Sequence, residues 1–184
     1  MSSAAFKFYA TIQEYGSDEA IAEGKAWYPN AWKECQRIGK ENNLTPERVA
    51  AIVSITSPRA RWSVNISAAE MIAADASVPE FKRRKNYGIL SSNAAKAIIA
   101  SEDRYYSRLV TGPKVTSFYL NLLGHTEPVT VDSLMSKCAG YGSDVTNKIR
   151  NEVTNACHSI ADVFDITPRD AQAAVWIAFR GSAS

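Results

Sequence analysis

Two stretches decide how this chain is read: Leu109-Val110-Thr111-Gly112-Pro113-Lys114-Val115-Thr116-Ser117-Phe118, and Pro128-Val129-Thr130-Val131-Asp132-Ser133. The first reads as a short helix ending near Leu109, a tight turn through Gly112, and a second helix opening at Pro113-Lys114. Val115, Phe118, Tyr119 and Leu122 give that second helix one apolar face, and Gly124 stops it. The chain then returns through Pro128 and sets Asp132 where it can cap the next helix. A helix opened by glycine and proline presents backbone N–H groups and the positive end of its dipole, a setting that attracts phosphate. Lys114 and Asp132 stand 18 residues apart, so a helix out and an extended return can bring both to one end of the hairpin. An amine and a carboxylate beside a phosphate-binding turn suit cleavage of a bond next to a phosphodiester backbone.

Outward from this stretch the dominant period is helical. Val49, Ile52, Val53 and Thr56 share one face, and Val145, Ile149, Val153, Ala156 and Ile160 share another. Alanine is abundant, which favours helix, and no alternating run is long enough for a strand. Thr45-Pro46 and Thr167-Pro168 each place a hydroxyl at a cap and proline at the first helical position. Gly140-Tyr141-Gly142-Ser143 breaks the chain before a long helix beginning near Asp144. The spacing predicts helices over 31–42, 46–56, 63–75, 93–101, 103–109, 114–123, 133–139, 144–162 and 168–179. The fold class is therefore all-α. The first ~25 residues carry the weakest pattern.

Composition bounds the rest. The chain has 184 residues, 46% hydrophobic and 22% charged, which suits one globular unit or two small lobes and excludes disorder. No apolar run is long enough for a bilayer span, so no membrane is expected as a partner. Met1 to Lys7 lacks a basic segment followed by an apolar one, which points to the cytoplasm rather than secretion. Cys35, Cys138 and Cys157 are scattered and His125 and His158 are the only histidines, so the sequence supports no disulfide framework, metal site, iron–sulfur cluster or other cofactor. A net charge of +2 permits nucleic acid as a partner without requiring it.

The motifs resemble the helix-hairpin-helix DNA glycosylases, the endonuclease III and 8-oxoguanine glycosylase type. Their signature is a hairpin L-P-G-x-G-x-K, a helix, and then V-D with a hydroxyl residue; this chain has Gly112-Pro113-Lys114 and Val131-Asp132-Ser133. Ile52-Val53-Ser54-Ile55-Thr56-Ser57, followed by Trp62-Ser63-Val64-Asn65, resembles the family's "LLSAQ…SVN" segment. Gly88 with Asn93 to Ile99 resembles "GxxxxKAxxI", and Val175 to Gly181 resembles the closing "HWLILHG" helix. The resemblance spans residues 46–181. There are departures: Val110 stands at the first hairpin glycine, Leu134 at a histidine and Lys137 at an arginine. The loop from Pro58 to Trp62 is longer, and the four-cysteine cluster is absent. Compact relatives of this family encoded by bacteriophages act on, or build, modified bases, and this short chain resembles that kind.

The resemblance implies a two-lobe fold. One lobe, 44–124, is a helical barrel ending in the hairpin; the other joins 1–43 to 125–184, and the whole acts as a monomer. It implies cleavage of an N-glycosidic bond on a nucleotide flipped from DNA. Lys114 falls on the Schiff-base lysine, which adds AP lyase activity, and Asp132 on the catalytic aspartate. Since a lysine amine titrates near ~10.4 in water, attack requires that it be desolvated. Thr111, Gly112, Pro113, Lys96 and Lys137 would contact the DNA backbone. Thr56, Arg59, Arg61 and Trp62 would line the base pocket or fill the gap left by the flipped base. Bland readings compete: Asp132 as a helix cap only, Trp62 as a loop anchor, Lys82-Arg83-Arg84-Lys85 as a solvated helix end. Trp176 and Phe179 read as core residues of the last helix, Trp27, Tyr28 and Trp32 as packing at the N-terminal helix with a base-binding role open, and Tyr105-Tyr106 as core or rim. Two further functions are compatible with the same motifs: synthesis of a hypermodified pyrimidine in viral DNA, and a non-catalytic DNA-binding module.

Overall fold

The computed structural model of the chain describes residues 1–58, 60–74, 95, 98–99 and 108–181. Among them every extended regular element is an α-helix: α1 (Ser3–Tyr15), α2 (Ser17–Asn42), α3 (Pro46–Thr56), α4 (Trp62–Ala74), α5 (Pro113–Leu122), α6 (Ser133–Cys138), α7 (Asn147–Phe164) and α8 (Pro168–Arg180). The all-α class expected from the periodicity is the class observed. The helices expected over 93–101 and 103–109 fall largely outside the described residues. So do Gly88, the run Lys82 to Lys85, and Tyr105-Tyr106.

The helix starts follow from local chemistry. Thr45 and Thr167 accept from Arg48 N and Asp170 N, at 3.3 and 3.2 Å, with proline opening the helix each time. Each such cap satisfies a backbone N–H that the helix leaves over and stabilises it by about 1 kcal/mol. The long helix α7 starts at Asn147, later than the expected start near Asp144. Thr146 takes the cap, accepting from Ile149 N at 3.3 Å. The Asp144 carbonyl accepts instead from Ser136 Oγ at 3.3 Å, which holds it outside the helix.

The largest correction is at the amino-terminal end. Helix was expected from residue 31, after Pro29; instead α1 fills 3–15, and α2 runs unbroken from Ser17 through Pro29 to Asn42. Proline removes the N–H that would bond the Lys25 carbonyl and disfavours a helix interior. Burial outweighs that local preference: Tyr28 and Ala31, on either side of Pro29-Asn30, are both buried.

The chain divides into two compact units, Met1–Asn30 with Gly124–Ala183, and a central unit that includes Ala31–Leu123. Residues 31–43, grouped by sequence with the terminal segments, pack in the central unit, where α2 contributes buried Cys35 and Ile38.

The terminal unit is built on one apolar core. Ala5, Phe8 and Ile12 of α1 meet Met135 of α6, Val153 and Ile160 of α7, and Ala171, Ala174 and Val175 of α8. Gly24 of α2 lies backbone to backbone with α8. A Cβ there would sit 2.8 Å from Ala174 N and from the Asp170 carbonyl, so only glycine allows the approach.

In the central unit α3 is buried along its whole length from Val49 to Thr56. Around it lie Ala68, Ala69 and Ile72 of α4 and Phe118, Tyr119 and Leu122 of α5. One buried polar knot locks α3 to α4. Asn65 Nδ2 donates to the Val53 carbonyl at 3.1 Å, and Thr56 Oγ1 donates to Asn65 Oδ1 at 2.7 Å. At the surface Arg37 of α2 joins Glu34 and Glu41 of its own helix and Glu70 of α4. Such half-exposed pairs add little individually.

No helix among the described residues is long and apolar enough to cross a membrane. All three cysteines are free thiols and buried. Burial pushes the Cys35 thiol up to about 12, and raises Cys138 and Cys157 as well. Since the thiolate is the reactive form, the folded protein should resist iodoacetamide at pH 8. The same protein in guanidinium should take up three equivalents. Rapid labelling of the native chain, followed by peptide mass analysis, would contradict this burial.

Candidate functional site

In the central unit the hairpin turn is built from Val110 to Pro113. Val110 is buried, whereas Thr111, Gly112 and Pro113 are exposed. The residue that departs from the glycosylase hairpin pattern thus anchors the turn in the core. Thr116 closes the turn twice: its N–H donates to the Gly112 carbonyl at 2.9 Å and its Oγ1 to the Val110 carbonyl at 3.2 Å. Gly112 adopts φ 90°, ψ 138°, a conformation that side-chain-bearing residues avoid. A Cβ would meet nothing within 4 Å, so glycine is required by conformation and not by space. No side chain caps α5. By contrast α1, α3, α6, α7 and α8 are capped by Ser2, Thr45, Asp132, Thr146 and Thr167. The first turn of α5 therefore presents its dipole behind exposed glycine and proline.

Lys114 is the second residue of α5 and is half-buried. A cation in the first turn of a helix opposes its dipole. The side chain resolves this by reaching α3: Nζ donates to Ser57 Oγ at 2.6 Å, and Ser57 Oγ donates to the Ser54 carbonyl at 2.8 Å. Ser57 is the C-cap of α3, so the amine lies at the negative end of that helix. The Phe118 ring centroid is 5.4 Å from Nζ. Sequence reasoning did not single out Ser57 as a partner; its place at the end of the "Ser54-Ile55-Thr56-Ser57" segment was the available signal. Of the residues expected to touch the base, Thr56 is buried with its hydroxyl engaged by Asn65. Arg61 is exposed and Trp62 half-buried at the start of α4. Arg59 and Lys96 lie outside the described residues.

In the terminal unit Asp132 is the N-cap of α6. Its Oδ1 accepts from both Leu134 N and Met135 N, at 2.9 Å each. Two bonds to one oxygen fix the carboxyl group and leave Oδ2 outside the cap. Asp132 is half-buried, so the group is held rigidly near the surface. Lys137, in the last turn of the same short helix, is exposed.

The strand-like run leading to Asp132 is pinned along its length. Arg169 N donates to the Thr126 carbonyl at 3.0 Å. Tyr28 Oη donates to Gln172 Oε1 at 2.8 Å and lies 3.3 Å from Thr130 Oγ1. Arg150 Nη1 donates to the Val131 carbonyl at 3.4 Å. Val129 and Val131 point into the core. The Arg169 guanidinium packs 5.5 Å from the Tyr28 ring centroid and pairs with Asp170 at 2.9 Å. Burial raises the Tyr28 phenol well above its ordinary value, the charges of Asp132 and Asp170 add to the rise, and Thr130 and Arg169 oppose it. Tyr28 is thus a neutral hydrogen-bond donor in this cluster. The sequence pattern gives Tyr28 as packing with a base-binding role open, and does not single out Thr130, Arg150, Arg169, Asp170 or Gln172. Lys114 and Asp132 belong to different units, and the geometry of each is that of its own unit. Among the described residues no group of three or more His, Cys, Asp or Glu side chains is placed to hold a metal ion.

These features define an all-α protein of two compact units, with a glycine-opened helix bearing a lysine in one and a carboxylate fixed by a single oxygen in the other. Over residues 7–183 the chain matches the sequence model of a family of unknown function, DUF7178, and it belongs to that family. No curated protein and no solved structure matches it.

Capping and charge at Asp132 can be separated. Asp132→Asn should unfold within a few tenths of a kcal/mol of wild type, since asparagine caps as well as aspartate, whereas Asp132→Ala should lose about 1 kcal/mol in urea unfolding. Gly112→Ala should cost about 1–3 kcal/mol in the same measurement, through backbone strain alone. An alanine at 112 that leaves stability unchanged would show that the turn does not need its left-handed conformation.

Proposed function

We propose that the chain is a DNA glycosylase of the helix-hairpin-helix type, cleaving the N-glycosidic bond of a damaged or modified base. The observation that carries the reading is the carboxylate of Asp132, immobilised through Oδ1 with Oδ2 outside the cap. A fixed negative charge of this kind stabilises the positive charge that develops on the sugar as the bond from C1′ to the base breaks. The bonding pair leaves with the base, which takes up a proton, and C1′ joins either water or an amine.

In this reading Lys114 supplies the amine, and the uncapped first turn of α5 receives a backbone phosphate. Lys114 must first lose a proton and its bond to Ser57. The resulting imine would permit elimination of the 3′ phosphate. Thr111, Gly112 and Pro113 supply the exposed turn for the strand, and Arg61, Trp62 and Lys137 are further candidates for DNA contact.

The test is a panel of duplexes carrying deaminated, oxidised, alkylated and hypermodified bases, incubated with the protein and borohydride. A covalent complex trapped with wild type and lost in Lys114→Ala is the expected result. Base release that survives Lys114→Ala but not Asp132→Asn would restrict the enzyme to hydrolysis through the carboxylate. Binding without release across the whole panel would sink the enzymatic reading in favour of a binding module.

A further inference from the structure

Arg150 carries a charge that its surroundings do not balance. It is the fourth residue of α7 and is half-buried. Its Nε is buried and has no hydrogen-bond partner. Its Nη1 reaches the Val131 carbonyl at 3.4 Å, long for a hydrogen bond. Among the described residues it forms no ion pair, whereas Arg169 of the same unit is paired with Asp170. Burial holds the Arg150 pKa below its ordinary value. The first turn of α7 contains no acidic residue.

A desolvated cation without a counter-charge lowers stability, and an apolar side chain of the same volume would avoid that cost. The contact to Val131 does not account for arginine here. Val131 is already buried in the core, and the segment is held independently through Thr126 and Asp132. Arg150 is explained as half of an ion pair whose anion comes from outside the chain. The carbonyl it touches belongs to the residue directly before Asp132, so an anion at Arg150 would lie close along the chain to that carboxylate. A planar guanidinium matches the oxygens of a phosphate, and its charge is shared over three nitrogens. Engagement of the terminal nitrogens would therefore also compensate the charge left at Nε.

We propose that Arg150 binds a phosphodiester of the DNA strand, the one flanking the nucleotide that Asp132 engages. The assignment rests on the glycosylase reading for the identity of that nucleotide. It names a contact that neither the motif comparison nor the hairpin supplies.

The test is the salt dependence of binding to a short labelled duplex, read by fluorescence anisotropy. Removing one phosphate contact makes the slope of log K against log salt shallower by about 0.9. Arg150→Gln should show that change and bind at least about tenfold more weakly at low salt. Arg150→Lys should restore the slope without the full affinity. Arg150→Gln should also unfold at no lower temperature than wild type, because it removes an unbalanced charge; a purely structural arginine would give the opposite. An unchanged slope in a folded Arg150→Gln overturns the proposal. If that variant does not fold, the Nε–H resonance of Arg150 is followed in wild type, and the duplex should shift it; no shift overturns the proposal. A shift with inorganic phosphate but none with the duplex also overturns it, in favour of a small free anion. Loss of slope in a protein that releases no base supports Arg150 and sinks the glycosylase reading. Base release with an unchanged slope does the reverse.

Discussion

Two backbone N–H groups at the head of α6 must find an acceptor, and one carboxylate oxygen takes both. Much of the terminal unit depends on that constraint. Helix α6 has six residues and would not persist alone. It is closed at its other end by Lys7, whose Nζ donates to the Ala139 carbonyl at 3.2 Å, so α1 and Asp132 between them hold both ends. Met135, between the two closures, is then fixed in the core of the unit. The same bonds orient the carboxylate, so the group with chemical potential is also the group that organises its surroundings.

The lysine of the hairpin shows a comparable economy. Its position opposes the dipole of its own helix, but its amine lies at the favourable end of another. Ser57 mediates that change of partner. An amine placed in this way is displaced by whatever competes for the Ser57 hydroxyl. Its chemistry is therefore coupled to the last turn of α3, where Thr56 and Asn65 fix the backbone.

What was legible in the sequence was what short-range chemistry decides. Threonine before proline marked the starts of α3 and α8, and Asp132 before Ser133 marked α6, because a cap is made within three residues. Gly112 was legible for the same reason. The path of α2 through Pro29 was not, because tertiary burial overrode a local preference. The cluster around Tyr28 was not, because its partners are distant along the chain: Thr130 is 102 residues away and Gln172 is 144. Nor did anything mark Arg150 among other arginines, since desolvation is a property of the folded neighbourhood. The apolar periodicity located the helices, while the polar groups that give the Asp132 segment its shape emerged only with the fold.

The division of the chain also sets an order of assembly. The central unit is continuous, whereas the terminal unit joins the first thirty residues to those after Gly124. During synthesis Phe8 and Ile12 of α1 must therefore wait for α6, α7 and α8, which leave the ribosome after the central unit. At ordinary elongation rates that interval is on the order of ten seconds, long compared with the formation of a helix. Through it the apolar face of α1 stays exposed to chaperones and to other nascent chains, while the central unit can already have closed around α3.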